Sequence, residues 1–174
     1  MMADINFSSE QAILSAFPMP PSSNHLYVSF VRNGKNIRKP SKELNQYKKQ
    51  MEKWKFINLL AMQKLHHWME YEAWQHDLKA ERLYRLDRYF CFPYSKIWTK
   101  EGKPKKLDAS NRIKAFDDCF CDMIGVDDKR IWSGVAEKVT LEETRQPCVI
   151  VKIRPIRSKD WKGLINSLHL NQDI

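Results

Sequence analysis

Residues 81–93, Glu-Arg-Leu-Tyr-Arg-Leu-Asp-Arg-Tyr-Phe-Cys-Phe-Pro, separate two kinds of pattern in this chain. Within them Tyr84, Leu86, Phe90 and Phe92 share one face of an extended strand, and Pro93 marks its end. Upstream, Leu44, Tyr47, Met51, Trp54, Ile57, Ala61, Leu65 and Trp68 recur at steps of three or four. That spacing predicts one long amphipathic helix reaching into the 70s. Ser41 is its expected N-cap, Glu43 complements the dipole of its first turn, and Lys42, Lys49, Lys53 and Lys64 read as its solvated face. Earlier still, Pro-Met-Pro-Pro-Ser-Ser-Asn at 18–24 is a stiff segment. A short strand is expected over 26–30, followed by a tight Arg-Asn-Gly-Lys turn at 32–35.

Downstream, Lys96, Lys100, Lys103, Lys105 and Lys106 face only Glu101 in a lysine-rich loop. A second, shorter helix is predicted over 109–124, with Ile113, Phe116, Phe120 and Met123 as its apolar face and Gly125 as the residue that ends it. Ile131, Val135, Val139 and Leu141 alternate as one strand, and Val149, Val151 and Ile153 as another. The expected fold class is therefore α/β in the layered, α+β sense: one domain with a mixed β-sheet packed by one long and one shorter helix. Its expected extent is 18–156, with 1–17 as an N-terminal extension and 157–174 as a tail. Trp161, Leu164, Ile165 and Leu168 in that tail suit a small docked helix.

A chain of 174 residues can bury a substantial core. Its 30 basic and 21 acidic residues leave a net charge of +9, which favours polyanionic partners. No basic n-region precedes an apolar run in residues 1–17, and the apolar stretch from Phe56 to Met62 is short and broken by Asn58, so no membrane association is expected. Four cysteines without a secretory signal predict free thiols in the cytoplasm. The spacing Cys119-x-Cys121, with no histidine beside it, does not suit structural zinc.

Against that basic background, the carboxylates Asp108, Asp117, Asp118, Asp127 and Asp128 gather within residues 105–128. On a helix, Ser110, Lys114, Asp117 and Cys121 fall on one stripe at the rim of the apolar face, and Asp118 lies further round within reach of Lys114. Aspartates suit Mg²⁺, a hard ion that takes one or two protein carboxylates and completes its octahedron with water and substrate phosphate. Such an ion promotes phosphodiester hydrolysis, and a nearby lysine stabilises the charge that develops. The alternative is structural: Asp108 as a helix cap, Asp117 and Asp118 paired with Lys114, and Asp127-Asp128 as a polar turn.

The run Asp108-x-Ser110-Asn111-x-x-Lys114-x-x-x-Asp118, then Gly125 and Asp127-Asp128, resembles the signature of RusA-type Holliday-junction resolvases. That family reads Asp-x-Asp-Asn-x-x-Lys-x-x-x-Asp with an Asp-Asp pair about ten residues on. Pro20-Pro21-Ser22-Ser23-Asn24 is similar to its N-terminal Pro-Pro-Ser-x-Asn, and Lys138 stands where the family tends to place a lysine. The resemblance covers roughly residues 18–156. It implies a small homodimer, commonly phage-encoded, that binds four-way DNA junctions and nicks two strands symmetrically with Mg²⁺. Asp108 and Asp128 then match metal-binding catalytic aspartates, Lys114 the lysine required for cleavage, and Asn111 the asparagine beside the site.

The departure is Ser110, where the family has its second aspartate. Asp117, two helical turns away on the same stripe, is the expected substitute, giving a metal set of Asp108, Asp117 and Asp128 with Lys114 as the further catalytic group. The expected DNA contacts are Lys103, Lys105, Lys106, Asn111, Arg112 and Lys138, binding phosphates without base reading. Trp98 in the same loop is expected to pack. The competing expectation is a relative that binds branched DNA, or another nucleic acid, with little or no cleavage. An unrelated RNA-binding protein is disfavoured because no aromatic RNP stretch is present.

Overall fold

In the computed structural model, which describes residues 6–8, 11–22, 26–75, 83–107 and 110–156, the strand that divides the sequence also runs through the middle of the sheet. β5 (Tyr84–Pro93) pairs antiparallel with β8 (Cys148–Pro155) on one side. On its other side it pairs parallel with two short strands, β6 (Ile131–Ser133) and β7 (Ala136–Leu141). Beyond β8 lie β2 (Gln11–Pro18) and β1 (Asn6–Ser8), each antiparallel to its neighbour. The domain is thus α+β with a mixed sheet, as the alternating patterns predict.

The N-terminal boundary is a correction. Residues 1–17 were expected to be an addition to the domain, yet β2 crosses that boundary and its Ala12, Leu14 and Phe17 are fully buried. Leu14 and Phe17 both face the core because the register with β8 shifts between them, and Ala16 takes φ +61° within that irregularity. Such a bulge inserts an extra residue and breaks the period of two. Phe17 stacks on Trp54 at 4.1 Å and meets Phe116 and Phe120 edge-on at 5.7 and 5.5 Å.

The expected single long helix is two. α1 (Lys42–Ile57) begins at Ser41, whose hydroxyl accepts from Leu44 N at 3.1 Å, and buries Leu44, Tyr47, Met51 and Trp54. At Asn58 the backbone leaves helical geometry, and the side chain donates to Trp54 O at 2.8 Å. An asparagine that bonds the preceding turn competes with the regular helical ladder. α2 (Leu59–Gln75) continues beyond it. A short helix α3 (Tyr94–Ile97) follows β5. α4 (Ser110–Ile124) packs on α1, and buries Ala115, Phe116, Phe120 and Ile124. It stops as its sequence predicts: Gly125 has φ +70°, and Val126 N bonds back to Cys121 O at 3.0 Å, a Schellman closure.

The alternation over 131–141 is likewise divided. At Gly134 a Cβ would lie 1.9 Å from Leu86 O, so β6 and β7 are joined where only glycine lets two backbones come this close. Both backbone groups of Val135 at the break are bonded: Arg88 N donates to Val135 O at 2.9 Å, and Val135 N donates to Asp87 Oδ1 at 3.0 Å. β3 (Tyr27–Arg32) and β4 (Lys35–Pro40) form a separate hairpin closed by Asn33 and Gly34, both at positive φ, as the Asn-Gly pair predicts. The expected helix in the tail lies outside the described residues. Among the described residues no helix is long and apolar enough to cross a membrane.

Candidate active site

The side chains along β5 that face α4 are Tyr84, Leu86, Arg88, Phe90 and Phe92, all buried, so a guanidinium occupies a core position. A buried charge needs a partner and hydrogen bonds. Arg88 finds them in Asp117 on α4: Nε and Nη2 donate to the two carboxylate oxygens at 2.6 and 2.7 Å. Its remaining nitrogen, Nη1, donates to Leu86 O at 2.6 Å, the carbonyl that Gly134 leaves uncovered. Asp117 is therefore held by Arg88 in a bidentate fork. Burial raises its carboxyl above the ordinary carboxylate range; Arg88 pulls it down, and Asp118 and Asp128 push it up.

Above this pair opens a cleft of about 410 Å³ lined by Arg88, Ile113, Lys114, Asp117, Asp118, Asp128 and Ile131. α4 supplies Lys114 and Asp118, which form an i,i+4 ion pair at 3.8 Å. Asp128 arrives from the 3-10 turn Asp128–Arg130 that follows Gly125. Asp127 caps that turn, accepting from Lys129 N at 3.1 Å, and pairs with Lys129 Nζ at 3.0 Å. The lysine holds the Asp127 carboxyl below its usual range.

Lys114, Asp117 and Asp128, three of the expected catalytic residues, thus share one cleft. Asp108 lies outside the described residues, and of Ser110 and Asn111 only the helical backbone is described. Both oxygens of Asp117, the expected metal ligand, accept from Arg88, which makes it a buried ion-pair partner at the base of the cleft. Asp118, which the expected metal set leaves out, lines the same cleft. Arg88 was also missed, although its place in the 84, 86, 88, 90, 92 alternation marks it as a core charge in search of a partner.

Among the described residues no group of three aspartate, glutamate, histidine or cysteine side chains converges closely enough to hold a metal. Mg²⁺ asks for less: one or two carboxylates, with waters and substrate phosphate. Asp128 and Asp118, on the wall of an open cleft, fit that requirement.

The expected phosphate contacts divide. Lys103, Lys106 and Lys138 are exposed. Lys138 is the register partner of Phe90, two residues beyond Ala136, which pairs with Arg88, so it stands on the sheet face that carries the site. The lysine loop is tied to the same strand by Trp98 Nε1, which donates to Thr140 Oγ1 at 3.1 Å. Trp98 packs against the core, as expected. Lys105 Nζ donates to Ser95 O at 2.6 Å. Arg112 is the exception. Its Nη1 donates to Pro20 O, its guanidinium lies 5.8 Å over the Phe92 ring, and burial lowers its pKa. It fastens the proline segment to the start of α4, and this packing replaces its expected DNA contact.

No protein-family model matches this chain, and no curated protein matches it.

Proposed function

We propose that the chain is a Mg²⁺-dependent endodeoxyribonuclease that resolves branched DNA, four-way junctions above all, by paired symmetric nicks in recombination and repair. The observation that carries this reading is the convergence of Lys114, Asp118 and Asp128 on one open cleft in a protein of net charge +9. The resemblance of that stretch to RusA-type resolvases supports the choice of substrate. Asp128 and Asp118, with Asp108 two residues before α4 in sequence, would hold the ion. Bound there, Mg²⁺ would neutralise charge at the scissile phosphate and assist hydrolysis. Lys114 would orient a phosphate oxygen at the cleft wall, and Lys103, Lys106 and Lys138 would bind flanking phosphates. A homodimer would present two such clefts to one junction. A cytoplasmic setting fits both DNA as substrate and the free thiols.

A second reading, binding of branched DNA without cleavage, draws on one specific observation. Asp117, the carboxylate expected to replace the aspartate absent at Ser110, is engaged by Arg88. Incubation of a synthetic four-way junction and a linear duplex with the protein, with and without Mg²⁺, separates the two. Paired nicks in the junction only with metal support the nuclease. A retarded but uncut junction supports the binder, and equal behaviour of junction and duplex contradicts both.

A further inference from the structure

The β3–β4 hairpin takes no part in the site just described. It pairs with no strand of the main sheet, and every residue from 31 to 40 is exposed. Its base is anchored by Ser41 N donating to Leu26 O at 2.9 Å, with Leu26 buried. Between residues 27 and 40 it carries Arg32, Lys35, Arg38 and Lys39 and no acidic residue.

The register places Arg38 on one face and Lys39, Arg32 and Lys35 on the other, the last two beside the turn. Ser29–Arg38 and Tyr27–Pro40 share one face, with the Arg38 guanidinium 4.7 Å over the Tyr27 ring. Val28–Lys39 and Phe30–Ile37 share the other, with the Lys39 ammonium 4.7 Å over the Phe30 ring. Arg32 and Lys35 face each other across the turn. Stacking on a ring fixes a long cationic side chain that would otherwise lose more freedom on binding. A ribbon that carries cations on both faces and beside its turn can meet the two anionic walls of a trough.

We propose that this hairpin is a DNA-binding arm that enters the major groove of a duplex flanking the cleft. The major groove of B-form DNA, about 12 Å wide, admits a two-stranded ribbon between its phosphate walls, whereas that of A-form RNA is too deep and narrow. The arm can reach such a duplex: Arg112 holds Pro20 at the start of α4, and chain length limits Tyr27 to roughly 25 Å from there. Exposed Val28 and Val31 then meet thymine methyls or sugar edges rather than water. The proposal rests on the reading that this protein acts on DNA and adds to it a contact remote from the acidic residues.

The test is fluorescence anisotropy over a salt series, with the full chain and a variant carrying Arg32→Gln, Lys35→Gln, Arg38→Gln and Lys39→Gln. The probes are a labelled four-way junction, a DNA duplex and an RNA duplex of the same sequence. Because these side chains are exposed, the melting temperature should stay near that of the wild type, and circular dichroism verifies it. The expected result is at least a tenfold loss of DNA affinity at low salt, with the slope of log K against log salt shallower by about 3. RNA-duplex binding should change little. Wild-type affinity and slope in the variant, or an equal loss on the RNA duplex, would overturn the groove assignment while leaving the nuclease reading intact. Loss of DNA affinity alongside a wild type that never cuts with Mg²⁺ would uphold the arm and refute the nuclease. A wild type that binds no DNA refutes both.

Discussion

Arg88 and Asp117 join the middle of the sheet to the middle of α4 through two parallel hydrogen bonds of 2.6 and 2.7 Å. With only 8% and 20% of the two side chains exposed, the pair sits between the apolar core and the acidic cleft. It fixes the helix that carries Lys114 and Asp118 against the strand beside it.

Loss of one partner leaves the other buried and uncompensated. Arg88→Met or Asp117→Ala alone should cost about 3 kcal/mol of stability, whereas Arg88→Met combined with Asp117→Leu should recover most of it. Urea denaturation of the three variants measures this, and additive losses in the double variant would contradict it. A pH effect accompanies the pair. Because the Asp117 carboxyl is raised in the fold, the native chain takes up this proton at a higher pH than the unfolded chain does. Its stabilising contribution is thus largest below the ordinary carboxylate value and declines as pH rises through the raised one. The double variant should lack that decline.

Gly134→Ala should damage the same region without touching a charge. The new methyl would meet Leu86 O at 1.9 Å and Arg88 Nη1 at 3.0 Å, and the first contact is backbone. A loss of about 2 kcal/mol or more is expected by thermal denaturation. A variant as stable as the wild type would mean that β6 and β7 are not joined this tightly.

Phe17 tests where the domain begins. Phe17→Ala should cost about 3–5 kcal/mol because it empties the ring cluster with Trp54, Phe116 and Phe120. A chain starting at residue 18 should then fail to unfold cooperatively. A sharp wild-type melt from that truncated chain would restore residues 1–17 to the status of an extension.

The cysteines should differ in reactivity. Cys91 and Cys148 are register partners across β5 and β8, and the proximity of the two thiols lowers that of Cys148 while raising that of Cys91. Burial pushes Cys119 up to about 11 and Cys121 up to about 12. Thiolates are the reactive form, so iodoacetamide should modify Cys148 first, with a midpoint below the roughly 8.5 of a free cysteine. Peptide mass spectrometry across a pH series reads this, and uniform labelling of all four would contradict it.

Much of the fold is legible in local chemistry. The Asn33-Gly34 turn, the Ser41 cap, the faces of β5 and α4, and the Gly125 stop each follow from residue type and spacing. The misreadings share a cause: a single residue that interrupts a period. Asn58 divides the long helix by bonding Trp54 O, Gly134 divides β6 from β7 by close backbone approach, and the bulge before Phe17 hides β2. The cleft was half legible. Lys114, Asp117 and Asp128 could be grouped from their spacing, but the partner that binds Asp117 comes from 29 positions away in sequence. Only the packing of α4 on β5 reveals that Asp117 is the carboxylate Arg88 engages.

The proposed division of labour, with Asp128 and Asp118 serving the ion and Asp117 serving Arg88, is tested most directly by single-turnover cutting of a four-way junction in Mg²⁺. The wild type, Asp128→Asn, and the double variant Arg88→Met with Asp117→Leu are compared. Asp128→Asn, whose site is exposed, should fold normally and cut on the order of 100-fold more slowly or worse, while the double variant continues to cut. Wild-type cutting by Asp128→Asn, or a folded double variant with no activity, would contradict the account.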